Sequence, residues 1–317
     1  MRHCLSCALC AFLSLALAIM ALRYVTDFWL LSLVYSFQTH AGIACIAAAV
    51  VCIFMKRNVL TVGLLAISVF LTGHSIVMKQ QFVRQAVAAP AGSQKVRVLS
   101  FNMLNENFAN SERIADYLLD SNADVAFFME ANPIASQLEK LATKYPYQSG
   151  CGPKMPGCEY SILSKFPIKS EFTDSLSDIR RNHFGVIETE IAGKTVRFAL
   201  AHLTKPYFDN YHELELRRLS LYLDAFGGTI ILGGDFNSSS IAPDMQRFLK
   251  DSSLSKTGPE PATWPIAAGR YGIAIDHIFV TDDVTPLSLQ RIPDSLGSNH
   301  FGIIADVAIG DGPRSRP

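Results

Sequence analysis

Three long uncharged apolar runs crowd the first 78 residues, and no other feature of the chain constrains its fold so strongly. Residues 4–22 are an uncharged stretch of 19, residues 41–55 a second rich in Ala, Val and Ile, and residues 59–78 a third. Apolar stretches of about 18 or more residues predict membrane-spanning helices, because a helix satisfies its own backbone polar groups in hydrocarbon. The middle run reaches that length if it begins near Tyr35 and accepts Gln38, Thr39 and His40 near its end. A cleaved signal peptide is the alternative for the first run, which follows Arg2 and His3 and carries Ala16 and Ala18 as small residues for a cleavage site. Two spans would remain even then. Buried helices of a soluble domain are disfavoured, since such runs leave almost no polar face for water.

Basic residues in short loops orient the spans. Arg2 precedes the first, Lys56-Arg57 separates the second from the third, and both belong on the cytoplasmic side. Three spans that begin inside end outside. The expected protein is therefore multi-pass, with the lipid bilayer as partner and everything after about residue 79 extracytoplasmic. Residues 79–94 (KQQFVRQAVAAPAGSQ) are expected to extend the last helix and then form a linker, spanning roughly 20–25 Å as a flexible coil. The implied organisation is a membrane region 1–78, a linker 79–94, a folded domain 95–311 and a tail 312–317.

Five of the seven cysteines lie in the apolar runs, and only Cys151 and Cys158 lie beyond them. That pair suits a loop-closing disulfide in an oxidising compartment, with two unpaired thiols as the alternative. The loop offers too few ligands for zinc. Residues 95–317 carry 22 Lys and Arg against 27 Asp and Glu, a balance of −5. A domain without a basic footprint argues against a protein built to grip long nucleic acid.

From residue 95 onward short β-like runs alternate with helical stretches. Strands are expected at 96–101, 124–129, 159–164, 184–191, 195–201, the run ending at Asp235, 272–280 and 301–309, with helices at 111–121, 134–144 and about 210–225. Such a mixture fits one domain of two packed sheets flanked by helices. Polar residues cluster where the apolar runs stop: Asn102 after Val96 to Phe101, Glu130 after Val125 to Met129, His202 after Val196 to Ala201, and Asp235 with Asn237 after Thr229 to Leu232. Asp276-His277 lies within the run from Tyr271 to Val280, and Ser298-Asn299-His300 precedes the run from Phe301 to Ile309.

These residue types suit metal-assisted hydrolysis of a phosphoester, which needs hard oxygen ligands, donors for developing charge and a positioned imidazole. Glu130 is the natural Mg²⁺ ligand and Asn102 supports it through its amide oxygen; Mn²⁺ is the alternative ion. Asp235 binds or orients the attacking water, Asn237 donates its amide to a phosphoryl oxygen, and His300 acts on phosphate or water while Asp276 holds its other nitrogen.

The motifs Leu99-Ser100-Phe101-Asn102, Phe128-Met129-Glu130, Tyr160 to Ser164 with Pro167, Ala201-His202-Leu203, Gly234-Asp235-Phe236-Asn237, Ile275 to Phe279 and Ser298-Asn299-His300 resemble, in this order, the signatures of the endonuclease/exonuclease/phosphatase superfamily. That superfamily includes deoxyribonuclease I, abasic-site endonucleases, neutral sphingomyelinases and inositol polyphosphate 5-phosphatases. The resemblance implies a four-layer α/β sandwich with Mg²⁺ at one edge, and the three preceding spans resemble a bacterial membrane-bound subgroup. The superfamily's last motif usually reads Ser-Asp-His, so Asn299 replaces a carboxylate at the metal edge with an amide oxygen, which implies weaker metal binding. An acid that orients the first histidine has Glu159 as its nearest match by type. His183, His212 and His277 are read as structural, and Arg180, Arg181 and Lys205 as solvated cations or phosphate contacts.

The resulting expectation is a membrane-anchored Mg²⁺-dependent phosphoesterase in which His202, Asp235, Asn237 and His300 surround the phosphoryl group of a membrane-proximal substrate. An extracytoplasmic nuclease and a silent phospho-ligand-binding relative are the alternatives, and nucleic acid is the less favoured substrate.

Overall fold

A computed structural model describes residues 2–151 and 157–310 of the chain. The expected tail 312–317 lies outside them. The chain divides into two compact units.

The first unit holds the helices α1 (Arg2–Ala21), α2 (Ser32–Ser36), α3 (Gln38–Met55) and α4 (Val59–Gln80). Among the described residues three stretches are long and apolar enough to cross a membrane: Leu5–Tyr24, Gln38–Met55 and Val59–Gln80. The middle one begins at Gln38 rather than near Tyr35, because Phe37 leaves helical geometry after the short α2. Leu13 and Leu17 of α1, Ala49 and Cys52 of α3 and Leu64 and Leu71 of α4 share one apolar cluster. Small and polar residues draw α3 and α4 together: a Cβ on Gly42 would lie 2.2 Å from the Thr72 hydroxyl, and the Thr39 and Ser75 hydroxyls meet at 3.0 Å. Membrane helices, which gain little from apolar burial against lipid, associate through contacts of this kind. Asn58 caps α4 by accepting from the Thr61 N–H at 2.9 Å. The same unit includes Pro206–Asn210, where Phe208 is exposed, and Ser238–Gln246.

The second unit contains strands β1 (Gln94–Asn102), β2 (Val125–Met129), β3 (Tyr147–Gly150), β4 (Tyr160–Ser164), β5 (Ser170–Asp174), β6 (Phe184–Ile191), β7 (Lys194–His202), β8 (Thr229–Asp235), β9 (Ser255–Lys256), β10 (Asp276–Val280), β11 (Val284–Arg291) and β12 (Ile303–Ile309). They form two six-stranded mixed sheets, ordered β11-β12-β1-β2-β4-β3 and β5-β6-β7-β8-β10-β9. Helices α5 (Ser111–Asp120), α6 (Leu138–Ala142), α7 (Tyr211–Phe226) and α8 (Pro243–Asp251) complete the element order.

Alternation along the strands builds the layers. Val96 and Val98 of β1 and Val125, Phe127 and Met129 of β2 meet Val196, Phe198, Leu200 and Ile231 of the other sheet in the central core. Their neighbours Leu99, Phe101, Ala126 and Phe128 turn to the opposite face and pack with Ile114 and Leu118 of α5 and Leu141 of α6. On the second sheet Tyr222 of α7 packs against Phe172 and Phe184. Strands buried on both faces read as near-continuous apolar runs, which is how they announce themselves in the sequence. The expected four-layer α/β sandwich is therefore present.

Three local expectations are corrected. The strand expected at 272–280 begins only at Asp276; residues 266–271 form a short 3₁₀ turn broken at Gly269. The helix expected over 134–144 is a 3₁₀ turn at Asn132–Gln137 followed by the short α6. The flexible coil expected over 79–94 does not hold near Arg84, whose guanidinium donates to the Asp282 and Val284 carbonyls at 2.8 Å each.

Candidate active site

The candidate residues sit where adjacent strands end. β1 and β2 run parallel with Asn102 opposite Met129, so Glu130 emerges beside Asn102. In the other sheet β7 and β8 run parallel with His202 opposite Asp235, and antiparallel β10 brings Asp276 opposite Asp235. Register alone thus gathers five of the expected polar residues into two groups, Asn102 with Glu130 and His202 with Asp235 and Asp276. Glu130 and Asn237 both adopt left-handed backbone (φ 50°), a conformation that costs a non-glycine residue of order 1 kcal/mol and collects at functional sites.

Asn102 joins the two sheets. Its Nδ2 donates to Glu130 Oε1 at 3.1 Å and to Asp235 Oδ2 at 3.0 Å. Its Oδ1 accepts the Leu104 N–H at 3.1 Å, so the amide nitrogen, not the expected oxygen, faces the acids. Asp235 Oδ1 accepts the Asn237 N–H at 2.8 Å, and Asn237 Nδ2 donates to the Leu203 carbonyl at 2.9 Å.

His300 is fixed from two sides: its backbone N–H donates to Ser298 Oγ at 3.1 Å, Ser298 Oγ donates to the Asn102 carbonyl at 2.7 Å, and its Nδ1 lies 2.9 Å from Asp276 Oδ2. The pairing of His300 with Asp276 is the one the sequence suggested. Nε2 of His300 is left facing Asp235 Oδ2 at 3.7 Å. Burial opposes a charge on His300, but the carboxylates of Asp276 and Asp235 together outweigh it and push the imidazole up to about 9. Burial, reinforced by the Asp276 charge, pushes Asp235 up to about 6, against the pull of His300 and the donors Asn237 and Asn102.

His202 has the opposite character. Burial, with Arg180, His183, His300 and Lys205 nearby, holds it well below the ordinary imidazole range. Its 3.6 Å approach to Asp235 is consequently a contact of a neutral ring rather than an ion pair. Arg180, read from the sequence as solvated by default, is turned inward: one guanidinium nitrogen donates to the Leu203 carbonyl at 2.7 Å and the other lies 3.3 Å from His202 Nε2. Glu159 does not orient His202; it faces Nε2 of His183 at 3.3 Å, and the His183 and His202 rings meet at a tilt of 52° with centroids 5.1 Å apart. His183 therefore belongs to the site's margin, whereas His212 bonds the Phe236 carbonyl at 2.8 Å and His277 bonds Glu260. Asn299 is exposed, directly before the buried His300.

Asp235, Asp276 and His300 offer ligand atoms within 4.8 Å of one another. That trio alone is an incomplete Mg²⁺ cage, because Mg²⁺ prefers oxygen ligands and one nitrogen of His300 is already bonded to Asp276. Glu130, which is half-buried and, among the described residues, bonded only by neutral N–H donors of Asn102 and Asn105, is a further anchor. Asp276 Oδ1 is buried without a hydrogen-bond partner among the described residues. An oxygen-rich set with an unsatisfied carboxylate oxygen fits a hard divalent cation.

Residues 99–300 match the Endonuclease/Exonuclease/phosphatase family. The chain belongs to that family. Its members are metal-dependent phosphoester hydrolases, and this member places its acids, amides and imidazoles at the strand ends its motifs predict. Comparison with curated proteins finds no match. Among solved structures, an endonuclease/exonuclease/phosphatase family protein from Bacteroides thetaiotaomicron is 14% identical, with TM-score 0.56 and coverage of 69% of this chain and 99% of that one. Beta toxin from Staphylococcus aureus, solved with bound magnesium ions, is 18% identical, with TM-score 0.52 and coverage of 67% and 99%. TDP2 from D. rerio, complexed with a single-strand DNA product, is 17% identical, with TM-score 0.52 and coverage of 68% and 99%. At these identities the likeness concerns the fold.

Proposed function

We propose that this family member is a membrane-anchored, extracytoplasmic phosphoesterase acting on a phosphate ester of the bilayer, a phospholipid or a polyprenyl phosphate. The observation that carries the reading is the coupling of three candidate spans to a family fold whose acids and imidazoles converge at the strand ends. The Cys151–Cys158 disulfide supports an oxidising compartment, and the acidic domain argues against a long nucleic acid.

Glu130 is the residue that would hold Mg²⁺, with Asn299 supplying a further oxygen at the same edge. The ion, when bound, offsets charge on the phosphoryl oxygens. The chain's own groups do the rest. Asp235, ionised above about 6, takes a proton from the attacking water. His300, protonated below about 9 and steadied by Asp276, donates to a phosphoryl oxygen. His202, neutral, and Asn237 supply donors beside them, and Asn102 keeps Glu130 and Asp235 in fixed relation.

The test is Mg²⁺-dependent phosphate or headgroup release by the full-length protein against phospholipid, polyprenyl diphosphate and DNA, with His300→Ala as control. Release from a lipid, abolished in the variant, supports the reading. Rapid DNA degradation with no lipid turnover replaces it with a tethered nuclease, the second reading, suggested by the DNA product bound to the D. rerio structure.

A further inference from the structure

Each oxygen of the Glu130 carboxylate has its own donor: Asn102 Nδ2 on Oε1 at 3.1 Å and the backbone N–H of Asn105 on Oε2 at 2.9 Å. Asn105 is in turn tied through its Oδ1 to Asn132 Nδ2 at 2.9 Å, and Asn132 Oδ1 accepts the backbone N–H of Cys158 at 3.1 Å. Three consecutive hydrogen bonds thus connect the peptide of Cys158 with the carboxylate. A second route reaches the backbone. Cys158 Sγ lies 3.1 Å from the carbonyl oxygen of Ala131, the residue after Glu130, and Cys151 Sγ lies 3.4 Å from the carbonyl oxygen of Tyr160. Tyr160 pairs across the sheet with Met129, the residue before Glu130. The cystine Cys151–Cys158 therefore abuts both flanks of a residue whose left-handed backbone needs external support.

We propose that the Cys151–Cys158 disulfide, with Asn132 and Asn105, is a positioning element for the metal-facing carboxylate of Glu130. The proposal rests on the reading of Glu130 as the cation's anchor. The reasoning is geometric: a carboxylate binds a hard cation tightly when its oxygens are already aimed, and partners of a ligand that set its orientation are worth roughly 10- to 100-fold in metal affinity. Asn132 bridges the cystine and Asn105, so its removal leaves Glu130 with its direct donors but frees the loop that carries one of them. Reduction does the same from the other end. A dithiol such as dithiothreitol passes two electrons and two protons to the cystine, giving two thiols on the protein and a cyclic disulfide on the reagent. Cation binding in this enzyme is accordingly stronger in the oxidised protein, which suits a domain outside the cytoplasm.

The experiment measures Mg²⁺ dissociation constants by calorimetry on the full-length protein in detergent, beside the melting temperature without Mg²⁺. Glu130→Ala, Asn132→Leu, the pair Cys151→Ala with Cys158→Ala, and wild type treated with dithiothreitol are compared. Asn132→Leu keeps the branched heavy-atom outline of the side chain, removes both bonds and leaves the cystine intact, so the test survives if the cysteine pair fails to fold. Expected are loss of measurable binding in Glu130→Ala and a weakening of about tenfold in the others, reversed by reoxidation of the reduced wild type. A lower melting temperature with the Mg²⁺ constant within about twofold of wild type assigns the cystine a purely structural part and overturns the proposal. Unchanged binding in Glu130→Ala overturns the ligand reading as well, which separates the two failures.

Discussion

At the scale of single residues, the proposed mechanism needs two neighbouring groups in opposite protonation states. Asp235 is pushed up to about 6 by burial and His300 to about 9 by its carboxylate neighbours, so between those values the base is ionised and the donor charged. kcat/KM should rise with pH through about 6 and fall through about 9, the two limbs belonging to the coupled pair. Asp276→Asn removes a charge that raises His300, so the alkaline limb should move to lower pH; an unmoved limb in the measured profile would sink that assignment. His300→Ala should lower kcat by about 10²–10⁴-fold while substrate binding changes little, as steady-state kinetics will show. At position 299 the exposed amide stands where the family pattern carries an acid, and Asn299→Asp should lower the Mg²⁺ concentration for half-maximal rate. Failure of that variant to tighten the metal dependence would count against a ligand at this position.

At the scale of elements, close approach and pairing decide what the strands tolerate. Gly234 has φ 151° and a Cβ there would lie 1.8 Å from the Ala201 carbonyl oxygen of β7. Gly234→Ala must therefore displace β8 one residue before Asp235, and a destabilisation of about 3 kcal/mol or more in denaturant melts is expected. The Arg97–Asp306 pair joins β1 to β12 at 2.7 Å, and the Arg97 bond holds Asp306 below the usual carboxylate range. A depressed carboxylate adds stability that is present above its unfolded value near 4 and is lost as pH falls through the folded value. With Arg97 40% exposed, Asp306→Asn should cost no more than about 1 kcal/mol at neutral pH, and the difference should vanish in acid. The same physics explains which elements the sequence disclosed. β2 and β8 are buried along their whole length and read as apolar runs. β5 is mostly exposed, β9 has two residues, and β11 carries Pro286 and an irregular register between Pro286 and Ser288, so none of them shows a clean period. Asp235 was legible because it closes an apolar run, and His300 because it stands just before one. The inward turn of Arg180 was not, since nothing in the sequence shows that the Leu203 carbonyl will accept its guanidinium.

At the scale of the whole molecule, the proposal of an extracytoplasmic family domain rests on charge asymmetry rather than on the fold. Lys56 and Arg57 sit between α3 and α4, and α4 ends beside Lys79, so the domain's side depends on which loop the membrane retains in the cytoplasm. Three spans with Lys56 and Arg57 inside put the C-terminus outside. A C-terminal alkaline phosphatase fusion, active only where disulfides form, should accordingly be active, and a fluorescent fusion that matures only in the cytoplasm should be dark. The reciprocal result would place the Cys151–Cys158 pair among reducing thiols, where a cystine is disfavoured. Adding Lys residues after α4 should then discriminate further: if basic loops set the topology, extra positive charge there opposes export and lowers the phosphatase signal. A signal indifferent to that charge would mean that translocation of the folded domain's own sequence, not the short loop, fixes its side.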